Sequence, residues 1–197
     1  GWEEYRGQLP ADLLDLAETE AHAAGIRAVQ VTHVPGLLQT EECAKAVFEE
    51  GVPPQSPAQL RRTLSFRMKR RDVLDRDVPL DCIFIIHESA LRMEFGGPKV
   101  ARGQLEHLLD TSERENITIR VLPFAAGGFP GSGLPTTLFL GRVPQLDTAQ
   151  FDTPVGASLV DSENHLVNYR AAVERTLGKS LTPQDSRDFI HAIIADE

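Results

Sequence analysis

Cysteine is almost missing from this chain of 197 residues, which has only Cys43 and Cys82. Two thiols with no patterned spacing exclude a disulfide framework and a cysteine-ligated zinc site. Each stands in an apolar stretch, helical around Cys43 and strand-like around Cys82, and reads as a small buried hydrophobe. Long apolar runs are missing too. The longest, Cys82 to Ile86, is far short of the roughly 20 residues a membrane span needs. The first 25 residues are acidic and hold no basic-then-apolar leader, so no signal peptide is expected and the cytoplasm is the expected compartment.

Positive charge is scarce and concentrated. The net charge is −9, from 20 Lys and Arg against 29 Asp and Glu. Residues 1–55 carry 3 basic and 10 acidic side chains, residues 56–78 carry 7 and 3, and residues 79–197 carry 10 and 16. A chain that grips nucleic acid through many phosphates needs a wide basic face. With one short basic segment, direct nucleic-acid binding is not expected. The six histidines (22, 33, 87, 107, 165, 191) form no i, i+4 pair and no ligand spacing, so no metal is expected. Gly131-Ser132-Gly133 is not a Gly-X-Ser-X-Gly nucleophile elbow, and no cofactor-binding signature is present.

What remains is the composition of a globular chain, 41% apolar and 25% charged, long enough to bury a real core. Apolar positions at helical spacing run from Ala11 to Ala24 and end at Gly25, with Glu20 on the same face. A carboxylate there needs a cationic partner, because an unpaired buried charge is costly. A short strand over Ile26–Thr32 is followed by a turn at Val34-Pro35-Gly36. Helices are expected from Thr40 to about Glu50 and from Ser56-Pro57 to about Asp75.

The basic run in that second helix reads as a solvated face, or else Arg67 or Arg71 points inward to a carboxylate such as Glu20 or Glu88. Leu80–His87, continuously apolar and β-branched, is the strongest strand and is expected to be covered on both faces. Helices at Glu88–Phe95 and Pro98–Arg114, then a strand at Ile117–Leu122, follow. The Gly-rich segment 125–135, with Gly127, Gly128, Gly131 and Gly133, reads as a hairpin-like connection or a lid. A phosphate cradle would need a helix after it, and a strand follows instead. Strands at 136–141, 147–152 and 155–160 and helices at Ser162–Leu177 and Thr182–Ala195 complete the chain. The order predicts an α+β fold, a small mixed β-sheet packed with several helices, in a single domain over 1–197.

Several phrases stand together in this order: Thr19-Glu20-x-x-Ala23, Val34-Pro35-Gly36-Leu37-Leu38-Gln39-Thr40, and Arg67-x-x-Arg70. They are followed by His87-Glu88-x-Ala90-Leu91-Arg92 with Gly96-Gly97, then Gln104-Leu105-x-x-Leu108, then Val121-Leu122-Pro123-Phe124 with Gly127. As a set they resemble the C-terminal regulatory domain that follows a helix-turn-helix in bacterial transcriptional regulators of the XRE type, some of them described as antitoxin-like. The resemblance implies a domain that senses a ligand or a partner and tunes an attached DNA-binding module. It also implies that the helix-turn-helix precedes this region, so that module is expected to be absent from this chain, and regulators of this kind are often homodimers. Three positions depart from the family pattern. Phe129 stands where the family usually has His, Thr136 where it often has Phe, and Asp152 where it has Glu.

Three functions compete. The first is a small-molecule sensor with a mostly apolar pocket, its candidate ligand-binding residues Gln39, Glu88, Arg92, Phe124, Phe129, Thr136 and Asp152. The second is an antitoxin-like module binding a partner protein. The third is a stand-alone relative recruited to a biosynthetic pathway, catalysing a cyclisation or elimination without a metal, with Glu88, Asp152 and His87 as candidate acids and bases. Adjacent strand residues point to opposite faces, so His87 and Glu88 are not expected to pair directly unless a turn intervenes. Glu20, Arg67 and Arg70 are set apart as a structural ion-pair network.

Overall fold

In the computed structural model, which describes residues 2–131, 134–153 and 156–196, local signals set most of the element ends. Helix α1 (Ala11–His22) gives way to strand β1 (Gly25–Gln30). Gly25 opens that strand because a Cβ there would stand 3.0 Å from the Asp81 carbonyl oxygen on the neighbouring strand. Thr40 caps α2 (Glu41–Glu49), its hydroxyl accepting from the Cys43 amide at 3.2 Å. Ser56 and Gln59 form a reciprocal capping box at the start of α3 (Pro57–Arg70). The helix ends earlier than its pattern suggests and tightens into a 3-10 turn over Arg71–Asp75. Strand β2 (Asp81–His87) runs straight into α4 (Glu88–Arg92).

Helix α5 (Pro98–Thr111) leads to β3 (Ile117–Leu122). Strands β4 (Thr136–Leu140), β5 (Thr148–Thr153) and β6 (Gly156–Val160) form an antiparallel meander, and α6 (Glu163–Lys179) and α7 (Pro183–Asp196) close the fold. Thr182 caps α7 through the Asp185 amide, whereas the Ser162 side chain makes no capping bond and only its carbonyl serves α6.

The chain has the α+β fold its element order suggested, with a six-stranded mixed sheet in the order β3-β2-β1-β4-β5-β6. β1, β2 and β3 are parallel, with Ala28 beside Phe84 and Phe84 beside Ile119. Parallel neighbours need long crossovers, which α2 with α3 and α4 with α5 supply. The Gly-rich segment is not a hairpin connection. It leaves β3 at one edge and enters β4, which pairs with β1, so it passes over two strands.

β2 is buried on both faces, as its unbroken apolar run required. Ile26, Ala28, Phe84, Ile86, Ile119 and Phe139 face a core filled by α1, α5, α7 and the turn after β1. Val29, Ile85, Leu138 and Ala149 face Leu166 and Val173 of α6. The outer edge of β3 is covered by the turn between α6 and α7. There Leu181 donates to the Val121 carbonyl and the Ser186 hydroxyl accepts from the Val121 amide, each at 2.8 Å. A blocked edge cannot recruit a foreign strand.

Candidate functional site

The basic segment turns two of its guanidinium groups inward, onto the sheet face that α1 covers. Arg70 meets Glu20 with both arms, Nε to Oε2 at 2.9 Å and Nη2 to Oε1 at 2.5 Å, and the two residues are 7% and 3% exposed. Burial alone would push the Arg70 charge down, but Glu20 outweighs it and holds the guanidinium above its ordinary range. The partner of Glu20 is therefore Arg70. Arg71, the other inward candidate, lies against Met68 and His107, and Glu88 takes Arg92.

Arg67 also points inward, but to no carboxylate. Among the described residues no Asp or Glu oxygen lies within 4 Å of it, and its one hydrogen bond runs from Nη1 to the neutral Gln39 Oε1 at 2.5 Å. Its flat face rests on the Phe48 ring, 4.7 Å from Cζ to centroid. Gly36 also lies close over the guanidinium plane, where a Cβ would come 2.9 Å from Nη1 and 3.0 Å from Cζ. The Val34–Thr40 phrase is thus a cradle. Gln39 donates back to the Val34 carbonyl at 2.8 Å, and Gln104 clamps the same turn through the Thr40 amide and the Leu38 carbonyl. Burial lowers the Arg67 guanidinium to about 10, with Arg70 adding repulsion that Glu20 and Asp152 only partly offset.

Beside Arg67 is a cavity of about 90 Å³, floored by Gln30, Thr137 and Gln150. Register makes this floor: Ala28 opposes Thr137, Thr137 opposes Gln150, and Gln30 keeps the parity of Ala28. Gln30 is 6% exposed and its Oε1 has no hydrogen-bond partner among the described residues. Gln150 Nε2 donates to Asp152 Oδ1 at 2.7 Å, which places an exposed carboxylate at the rim.

His87, Glu88, Arg92, Phe124 and Phe129 gather at the ends of β2 and β3. Glu88 Oε1 accepts from Arg92 Nε at 2.7 Å and its Oε2 from the Phe124 amide at 2.8 Å. Burial works to raise the Glu88 carboxyl, but the Phe124 amide and Arg92 outweigh it and hold it below the ordinary carboxylate range. His87 caps α4, its Nδ1 accepting from the Ser89 amide at 3.2 Å, while its ring packs on Phe124 and Phe129. Burial lowers its imidazolium below the usual value, with Glu88 opposing. β2 ends at His87 and Glu88 opens α4, so strand alternation does not govern this pair, and no hydrogen bond joins the two among the described contacts.

The three candidate acid–base groups do not converge. Asp152 lies at the same end of the sheet as His87 but on the opposite face and three strands away, about 14 Å at ordinary strand spacing. Of the seven candidate ligand residues, Gln39 and Asp152 belong to the cavity face, while Glu88, Arg92, Phe124 and Phe129 form the strand-end cluster. Thr136 belongs to a third place. On the α6 face a cavity of about 510 Å³ opens between Thr136, Leu134 and Phe151 on one side and Tyr169, Ala172 and Val173 on the other. Pro130 and Gly131 of the Gly-rich segment form part of its wall. Ser132 and Gly133 lie outside the described residues.

Sequence reasoning missed Gln30 and Gln150, although a signal existed for the first: an amide at the same parity as Ile26 and Ala28 is a polar group on an apolar strand face. Cys43 and Cys82 are both buried, and burial pushes their thiols up to about 11 and about 12. Among the described residues no group of three or more His, Cys, Asp or Glu could hold a metal ion. No described helix is long and apolar enough to cross a membrane.

Within this α+β frame a cavity opens on each face of the sheet, and among the described residues the candidate acids and bases do not meet in either. The family model described as a domain of unknown function, DUF5753, matches residues 13–192, and the chain belongs to that family. No curated protein and no solved structure matches it.

Proposed function

We propose that this chain is the small-molecule-sensing regulatory domain of an XRE-type transcriptional regulator. The observation that supports this reading is the cavity of about 510 Å³ between the sheet and α6. Its volume falls in the range of ligand pockets, and its lining is apolar with a few polar groups, among them Thr136, Ser158 and Tyr169. The wall includes Pro130 and Gly131, from the segment that departs from the family pattern nearby at Phe129 and Thr136. A ligand seated there would bridge that segment, the β4–β5 pair and α6, and so would couple occupancy to the packing of α6.

The test is thermal unfolding with small molecules extracted from the native host, on the wild type and on Ala172→Trp. The indole would fill the cavity. A host compound that raises the midpoint of the wild type but not of the variant supports the pocket. A fraction that stabilises both equally, or none that stabilises either, refutes it.

A second reading is an antitoxin-like interaction module, for which the exposed apolar side chains Leu134 and Val167 would be contact residues. A stoichiometric partner protein retained in native mass spectrometry, and released by Leu134→Asp with Val167→Asp, is the result it requires.

A further inference from the structure

We propose that the polar cavity beneath α1 and α3 is a second binding site, for a small monocarboxylate that carries an O–H or N–H donor beside its carboxylate. A hydroxy or amino acid of a few heavy atoms has this chemistry. The site is separate from the α6-face pocket, so it stands or falls independently of the regulatory reading above.

Charge is the first argument. The buried Glu20 carboxylate is used up by the two-armed pair with Arg70. Arg67 is left as a half-buried cation whose partners among the described residues are a neutral amide oxygen and an aromatic face. A guanidinium has five N–H donors, and one is spent on Gln39. The remaining fork is suited to the two oxygens of a carboxylate. Arg67 is also held in place before any ligand arrives, by the Phe48 ring, the Gly36 backbone and the Gln39–Val34 bond. A group immobilised in advance loses little freedom on binding.

A polar group without a partner points to the same cavity independently of charge. Gln30 Oε1 is the one buried side-chain nitrogen or oxygen among the described residues with no hydrogen-bond partner, and Gln30 lines the same cavity as Arg67. An orphaned buried carbonyl costs free energy that an N–H or O–H donor recovers. Asp152 at the rim adds a second acceptor and repels a dianion such as phosphate, which favours a monoanion with a donor. The volume, about 90 Å³, limits the guest to a few heavy atoms.

Glycolate is the direct probe, since it has a carboxylate and one adjacent hydroxyl. Glycolamide is its neutral counterpart, and acetate lacks the donor. Each is titrated into the 15N-labelled protein while the Gly36 amide and the Arg67 Nε–Hε resonances are followed. Glycolate should give saturable shifts at both, with a dissociation constant at least about tenfold below that of glycolamide. Acetate should bind more weakly than glycolate, and Gln30→Leu should bring the two together. Arg67→Met should abolish the glycolate response while Arg67→Lys retains part of it. The wild-type comparison alone decides the charge argument without any variant. Equal binding of glycolate and glycolamide, no saturable response to either, or an undiminished response in Arg67→Met overturns the proposal.

Discussion

The two inward arginines of α3 are three residues apart, yet their removal should have very unequal consequences. Arg70→Met strips Glu20 of its partner and leaves a carboxylate 3% exposed with no cation bonded to it. Breaking one side of a buried pair costs about 3–5 kcal/mol. For a chain of this size that is roughly 6 to 20 °C in the unfolding midpoint. Arg67→Met is different. Burial, with repulsion from Arg70, brings its guanidinium down to about 10, which puts the cost of keeping it charged there at about 3 kcal/mol. Against this stand one charge-assisted bond to Gln39, about 1.5–3 kcal/mol, and the Phe48 contact, about 1 kcal/mol. The terms nearly cancel, so Arg67→Met should stay within about 1 kcal/mol of the wild type. Glu20→Leu combined with Arg70→Met should recover most of the loss, because the pair is then replaced by apolar packing. Urea denaturation of the three variants measures all of this. If Arg67→Met is as damaging as Arg70→Met, then Arg67 is a structural cation and the reasoning for a vacant charge is wrong.

Two further outcomes are expected. Gly36→Ala would place a Cβ 2.9 Å from Arg67 Nη1, so the side chain must move; we expect a loss of about 1–3 kcal/mol by urea titration and a weakened glycolate response. Burial lowers both His87 and His107, Glu88 opposing in the first case and Arg71 adding to the shift in the second. The unfolded chain then binds more protons below about pH 6.5, and stability is lost as the pH falls through that value toward the folded pKa. Glu88, whose carboxyl lies below 4.5 in the fold, adds stability that is lost only at still lower pH. His87→Asn with His107→Gln should therefore flatten the urea midpoint between about pH 7 and pH 5. An unchanged slope would refute the assignment.

Most element ends were legible because the signals are local. Thr40, Ser56-Pro57 and Thr182-Pro183 each satisfy the first amides of a helix from within a few residues, and no distant contact is needed to place them. The two-sided burial of β2 follows from its own composition. Inward placement of Glu20 was legible from helical spacing, and so was its need for a cation. Which cation was not: Arg67, Arg70 and Arg71 share one face of a helix at spacings of three and four. Spacing does not choose among them.

The crossing of α1 over α3 chose Arg70. It left Arg67 to the Val34–Thr40 turn, a pairing across 28 residues that depends on how that turn folds back. Strand order was equally out of reach, since the β4–β1 pairing is non-local and follows a Gly-rich segment with no periodicity to read. That order separates Asp152 from His87 by three strands and a sheet face, and it brings Gln30 and Gln150 onto one floor. The elements, the α+β class and the inward set depend on neighbours a few positions away, and so can be read along the chain. How distant elements cross chose which inward arginine has no carboxylate within 4 Å among the described residues, and where the cavities lie.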